Sequence, residues 1–517
     1  MRRALALVAV VSLAFALPAQ SPDTALANKI SAITTRPEFR HAMWGIKIYD
    51  LDKKTTLYEL NANKLFFPAS TTKLLTEGTA LALLGPDFRF RTSVYAVGSW
   101  APNGTLNGDL VIVASGDPNL SGRIRPDGTL AFENEDHAYA GNDSMARAVP
   151  GDPLLVIKEL AKQAASKVRT LNGRVLVDVS MFPEGQAEGG SGVIMSPMMV
   201  NDNIIDITIT PARTAGAPMT FVASPVTAYA TFVNKTVTGA PGSANTVTMA
   251  SDSVTPAGNR IVTVTGSLPA GGPMMLFPYD VPLPSRFAAE TFSEALTAAG
   301  VKVNTPAAPA AVDWAKMAAG YTAANVVAQH VSPPFSEEVK VTLKVSDNLH
   351  AAVTPYILGA VIGKKDTAKT GFDLEREFLT KGGLDLSGAQ QADGLGADDH
   401  FTPDFMVSYL SWYTTLPGYP VLLSALPVLG RDGTLYNIQT TSPAAGHVFA
   451  KTGTFASGDP LNRNLLVTAK GLAGYITTAR GRHLVFAVYV NNVAVASGDD
   501  VVRVVGQAVG EVAAAAY

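Results

Sequence analysis

Apolar and polar positions alternate in short runs through the middle and near both ends of the chain, whereas helical spacing dominates elsewhere. Leu26, Ile30 and Ile33 recur at helical spacing and predict a first helix over 23–35. Two strands follow at 44–50 and 55–60, joined as a hairpin by Leu51-Asp52-Lys53-Lys54. Phe66-Phe67-Pro68-Ala69-Ser70 then leads into 71–84, free of glycine except at Gly78, which predicts a loop entering a buried helix at its N-terminus.

Between about 91 and 300 the texture changes to Gly, Thr, Val, Ala and Pro, with short strands expected at 110–113, 174–179 and 204–209. A helical run at 285–299 precedes an Ala/Pro-rich link over 304–309, and helical patterns continue to about Pro427. Strands are expected at 446–451, 465–468, 471–477 and 483–490, then a closing helix from about Asp499. No short-period repeat is present. The N-terminal hairpin and the C-terminal strands, each flanked by a helix, can join into one sheet. The β-rich middle is then an insertion.

The 517 residues correspond to about three domains by length alone. A hydrophobic content of 47% supplies ample core, and 16% charged residues argues against disorder or a coiled coil. With no cysteine, thiol nucleophiles, disulfide frameworks and Cys-ligated metals are excluded. Lys+Arg 40 against Asp+Glu 43 leaves no basic surplus for a phosphate backbone, so nucleic acid is not an expected partner.

The first residues, MRRALALVAVVSLAFALPAQ, carry Arg2 and Arg3 before a short apolar run and the small residues Ala14 and Ala16. They are read as an export signal over 1–16, placing the protein in the periplasm or outside the cell. Val501, Val502, Val505, Val509 and Val512 in the closing helix are read as packing against the sheet, with a peripheral membrane contact as the alternative. Oligomeric state is left open.

For chemistry, Gly-x-Ser-x-Gly, His-Glu-x-x-His, the Walker loop and Gly-x-Gly-x-x-Gly are all missing. His41, His137, His330, His350, His400, His447 and His483 lack metal-ligand spacing and are read as packing or surface residues. Ser70-Thr71-Thr72-Lys73 instead puts a hydroxyl and an amine three residues apart on one helix face. Serine is a weak nucleophile that needs a base, and a lysine whose proton affinity is depressed by burial supplies one. Such a pair alone recurs about once by chance in a chain this long.

Two further motifs follow in order: Ser346-Asp347-Asn348 at an expected helix start, and Lys451-Thr452-Gly453-Thr454 on an apolar strand. Gly453 permits close approach of backbone to ligand. Lys369-Thr370-Gly371 and Ser243-Ala244-Asn245 are decoys, set aside because one has no flanking apolar strand and the other sits in a Gly/Pro-rich turn.

The ordered triplet resembles the signature of penicillin-binding proteins and class A β-lactamases. Ser346 follows Ser70 by 276 positions, a far longer gap than in simple β-lactamases. This resembles the low-molecular-mass class C penicillin-binding proteins, the D-alanyl-D-alanine carboxypeptidase/endopeptidase family, in which accessory domains separate the first two motifs. The resemblance extends through FFPASTTKLLT, Gly116-Asp117-Pro118, RVLVDVSMF, NDNIIDI, VSDNLHA, GRDGTL, AKTGT and LAGYI.

The resemblance implies an α+β fold: a serine penicillin-binding/β-lactamase-like transpeptidase domain, an antiparallel sheet with helices, formed by 22–90 and 300–517. One or two β-rich accessory domains are inserted over 91–299. It further implies Ser70 as nucleophile, Lys73 as general base and Ser346 as proton relay. Asn348 holds the substrate amide, Lys451 and Thr452 bind the terminal carboxylate, and the N–H groups of Ser70 and Thr454 form an oxyanion hole beside Gly453. No metal or organic cofactor is required. Peptidoglycan peptides are the implied substrate and β-lactam antibiotics the implied covalent inhibitors. A serine β-lactamase and a weakened cell-wall-binding or sensor protein are the alternatives.

One departure stands out. Where family members tend to carry Asp-Gly-Ser-Gly-Leu-Ser-Arg, this chain has 393–399 with Leu395 in place of serine and Asp399 near the expected arginine. If that arginine binds the peptide side chain, substrate preference here differs.

Overall fold

The structure, a computed structural model, describes residues 24–137, 140, 145–306, 311–363 and 369–517. The export segment expected at 1–16 and part of the 304–309 link lie outside these residues.

Helix α1 (Thr24–Thr34) buries Leu26, Ile30 and Ile33, the three apolar positions of its helical stripe. The hairpin of β1 (Met43–Asp50) and β2 (Thr55–Leu60) follows, then a 3₁₀ turn (Ala69–Thr72) and α2 (Lys73–Leu84). Gly78 has a packing reason: a Cβ there would lie 2.1 Å from the Tyr409 hydroxyl.

The middle of the chain opens with the hairpin β3 (Arg91–Ala101) and β4 (Thr105–Val113). The stretch read as largely β also contains a helix, α3 (Leu155–Ala165), which buries Val156, Ile157, Leu160, Ala161 and Ala164. Next come β5 (Val175–Asp178), parallel to β4, and β6 (Ile204–Thr210), paired with β7 (Thr220–Ser224). β8 (Ala230–Gly239), β9 (Thr248–Val254) and β10 (Arg260–Pro269) form a three-stranded sheet, and β11 (Met275–Asp280) returns to β6. Helix α4 (Pro284–Ala298) packs into the same core as α3, β4 and β6, through Phe287 and Phe292 against Leu110, Ile157 and Ile207. Strand β12 (Val326–Val331) still belongs here, antiparallel to β3.

Helices α5 (Phe335–Val345), α6 (Asn348–Val361), α7 (Gly371–Lys381) and α8 (Pro403–Tyr413) precede three long strands. These are β13 (Val448–Asp459), β14 (Asn464–Thr477) and β15 (His483–Asn491). β14 is one continuous strand where the apolar pattern predicts two. The break at Ala469 and Lys470 is bridged because each residue pairs with β13. A π-helical stretch (Val501–Gly506) and α9 (Gln507–Ala514) close the fold.

β13, β14, β15, β1 and β2 form one antiparallel sheet in that order, so strands from both ends of the sequence meet at β15 and β1. Along β15, Leu484, Phe486, Val488 and Val490 pack with α1 and α9, whereas Val485, Ala487 and Tyr489 pack with α2, α5 and α8. The two-residue period therefore feeds two apolar layers, and each large side chain so buried contributes about 1.5–3 kcal/mol. Among the described residues, no helix is long and apolar enough to cross a membrane.

Candidate active site

The turn that carries Ser70 is built from strain and shape. Ala69 has φ +44°, a left-handed conformation disfavoured for a residue with a Cβ, immediately before Ser70. Because 69–72 is a 3₁₀ turn rather than the first turn of the predicted helix, side chains three apart nearly eclipse. Lys73 Nζ thus lies 3.2 Å from Ser70 Oγ.

The second motif reaches the same point from another direction. Ser346 caps α5 in a left-handed conformation, φ +64°, and Asp347 caps α6 by accepting the His350 N–H at 3.0 Å. The motif is therefore a hinge between two helices, and both flanking side chains face Lys73. Lys73 Nζ donates to Ser346 O at 2.6 Å and Asn348 Oδ1 at 2.7 Å, and lies 3.2 Å from Ser346 Oγ.

The third motif closes the set. On β13, Lys451 Nζ donates to Ser346 Oγ at 2.7 Å and Thr452 O at 2.8 Å, so the Ser346 hydroxyl sits between two lysines. A Cβ on Gly453 would lie 2.2 Å from Pro68 O and 3.2 Å from the Ser70 nitrogen. Glycine is required there so that the strand can touch the Ser70 turn, a different close approach from the expected one to ligand.

Ser70, Ser346, Asn348, Thr452 and Thr454 line one cleft of about 250 Å³. All eight residues singled out from the sequence thus converge. The decoys do not: Lys369 pairs with Glu377 at 2.7 Å on the surface, Thr370 caps α7, and Ser243 stays in the turn between β8 and β9.

Burial sets the proton affinities. Lys73 is fully buried, which brings its ammonium down to about 8 against the opposing pull of Asp347, Glu188, Glu77 and Asp393. A neutral amine keeps two N–H groups for its two short contacts and a lone pair for Ser70. Lys451 is held well below the usual lysine range by burial, then by Lys73 and Lys470.

Some cleft residues escaped the sequence reading. Thr434 bonds Thr452 hydroxyl to hydroxyl at 2.7 Å, and Lys470 Nζ donates to Thr454 Oγ1 at 2.7 Å. Thr434 was within reach, since it lies in the GRDGTL run.

Two histidines also differ from expectation. His137 and His350 belong to a buried charge network rather than to apolar packing or the surface. Arg123 donates to Asp136 at 3.0 Å and Asp202 at 2.6 Å, and His137 bridges Asp202 and Asp206 at 2.8 and 2.9 Å. His350 lies 3.0 Å from both Asp202 and Glu338. Asp136, His137 and Asp202, and likewise Asp202, Asp347 and His350, are close enough together to hold a metal ion. The Arg123 guanidinium and the two imidazoles already supply cations to these carboxylates. Burial disfavours charge on the histidines, but Asp206 and Asp136 around His137, and Asp347 and Glu338 around His350, outweigh it and hold both well above the usual range.

The 393–399 loop packs on the Ser70 turn. Asp393 accepts the N–H groups of Leu395 at 2.8 Å and Gly396 at 2.6 Å, and Thr76 donates to Gly394 O at 2.8 Å. Leu395 and Asp399 are both buried, Asp399 accepting the Ala392 N–H at 2.6 Å. The two departures from the family pattern therefore face inward.

The family model for D-Ala-D-Ala carboxypeptidase 3 (S13) matches residues 26–513. The chain belongs to this family. It is a serine hydrolase of the D-alanyl-D-alanine carboxypeptidase class. A D-alanyl-D-alanine carboxypeptidase of Actinomadura sp. (strain R39) is 30% identical, covering 95% of this chain and 87% of the relative. The D-alanyl-D-alanine carboxypeptidase DacB of Haemophilus influenzae is 22% identical, covering 86% and 85%. The crystal structure of penicillin binding protein 4 (dacB) from H. influenzae superposes with TM-score 0.66 at 19% identity, covering 91% of this chain and 94% of that one. The fold is thus the mixed α+β arrangement with antiparallel sheets expected from the motifs.

Proposed function

We propose that this protein removes the terminal D-alanine from peptidoglycan stem peptides through an acyl-enzyme on Ser70, and that the same cleft accepts cross-linked peptides for endopeptidase cleavage. The observation that carries this reading is Lys73 Nζ, 3.2 Å from Ser70 Oγ with its short contacts taken by Ser346 and Asn348. In the neutral state Lys73 takes the Ser70 proton as Oγ attacks the carbonyl carbon. The Ser70 and Thr454 N–H groups stabilise the oxyanion, each such donor being worth about 2.7–4 kcal/mol. Ser346, held between Lys73 and Lys451, delivers a proton to the departing D-alanine amine. Asn348 holds the substrate amide, and Lys451, Thr452 and Thr454 face its carboxylate. Water then releases the acyl group and regenerates Ser70.

A β-lactam would acylate Ser70 by the same attack. A crystal structure of the H. influenzae relative holds a β-lactam. Action on peptidoglycan places the protein outside the cytoplasm, with export by 1–16. The catalytic unit consists of the two terminal segments, joined at the β15–β1 pair. The insertion runs from residue 91 past the expected limit at 299, to Val331, because β12 pairs with β3.

The test is incubation with a muropeptide pentapeptide and assay of free D-alanine. Release by the wild type and none by Ser70→Ala is the expected result. No release by the wild type, with penicillin still forming an adduct, would replace the enzyme with a binding protein.

A further inference from the structure

Lys470 lies on β14 directly opposite Thr454 of the third motif. It is 8% exposed and lines the same cleft as Ser70, Thr452 and Thr454. Its Nζ donates to Thr454 Oγ1, which leaves the Thr454 O–H free to point at a ligand. Among the described residues neither Lys451 nor Lys470 makes an ion pair. Their contacts are the Ser346 hydroxyl, the Thr452 carbonyl and the Thr454 hydroxyl. Glu135, at the cleft wall, acts on Lys470 only from longer range. Two buried lysines set side by side across Thr452 and Thr454 are a poor structural device, since each has lost its hydration without a carboxylate in contact among the described residues. An anion entering between them supplies what both lack.

We propose that Lys470, with Thr454, is a second cationic partner for the substrate's terminal carboxylate, and that it selects peptides and β-lactams ending in a free carboxylate. The assignment rests on the D-alanyl-D-alanine peptidase reading and adds a specificity-determining residue that none of the three motifs contains. A lysine is suited to the position: its compact charge reaches a carboxylate oxygen from the strand behind, whereas Lys451 is occupied by Ser346.

The test compares the second-order rate of Ser70 acylation by benzylpenicillin and by its methyl ester, in the wild type, Lys470→Met and Lys470→Arg. A charged hydrogen bond of ordinary strength predicts that Lys470→Met slows benzylpenicillin about 10- to 100-fold. The ester rate stays unchanged, and Lys470→Arg restores most of the difference. KM for a D-Ala-D-Ala peptide acid against its C-terminal amide, measured on Lys470→Gln, gives the same comparison if the methionine variant does not fold. Equal losses on acid and ester, or no loss on either, overturn the Lys470 assignment alone. A wild type acylated by neither probe overturns the underlying reading.

Discussion

The molecule buries charge in two adjacent places on opposite accounting. Around Asp202, the cations Arg123, His137 and His350 face the carboxylates Asp136, Asp202, Asp206 and Glu338 at 2.6–3.0 Å. In the cleft, Lys73, Lys451 and Lys470 are equally buried, but their close partners are hydroxyls, carbonyls and one amide. The network supplies its own cations and ties the middle of the chain to Asp347 and His350, next to Ser346. The cleft is incomplete without an anion and a proton acceptor. Buried charge in contact with opposite charge reads as architecture, and buried charge without such a contact reads as a site.

The largest effect that sharpens this contrast is expected at Lys73. Lys73→Met should lower the acylation rate with a chromogenic cephalosporin by about 10²–10⁴-fold, the usual yield of a positioned base. Its thermal midpoint should remain close to that of the wild type, because among the described residues the lysine removed makes no contact ion pair. Loss of folding with activity retained in the folded fraction would erase the distinction.

The converse experiment is Asp202→Ala, which leaves Arg123 and both histidines short of a carboxylate. Breaking a buried pair in this way costs about 3–5 kcal/mol, measured by urea unfolding. The fraction that remains folded should still be acylated. A variant as stable as the wild type would show that the network contributes no architecture.

A smaller effect follows from pH. Lys470 sits at about 8 in the folded protein against 10.5 when unfolded, because burial disfavours its charge. Between these values the unfolded chain binds the extra proton, so this group makes stability rise with pH from about 8 to 10.5, and the contribution is lost as pH falls through 8. Unfolding free energies over that window should therefore rise less steeply in Lys470→Met than in the wild type. Identical slopes would mean that Lys470 is not desolvated.

Much of the cleft was legible in the sequence because its parts are local. Ser70-Thr71-Thr72-Lys73, Ser346-Asp347-Asn348 and Lys451-Thr452-Gly453-Thr454 each lie within one turn or strand, and their order along the chain pointed to a shared chemistry. The hairpin at β1 and β2 and the long apolar strand β15 were legible for the same reason. What was missed depends on pairing across the fold. Lys470 looked like a polar break between two strands, and only the register opposite Thr454 brings it to the cleft. His350 and Asp202 meet across 148 positions, which no local spacing reveals. Asn201-Asp202-Asn203 all take φ near +50°, a conformation that Asn and Asp tolerate better than other side chains. Helix α3 was missed although Val156, Leu160 and Ala164 repeat at four residues, because the surrounding Gly- and Thr-rich texture favoured a β reading.

In the proposed mechanism Ser70 is the nucleophile, activated by Lys73. Intact-protein mass spectrometry after incubation with benzylpenicillin tests it most directly. A single adduct of one penicillin mass is expected on the wild type and none on Ser70→Ala. An adduct that persists in Ser70→Ala, or a wild type that gains no mass, would contradict it.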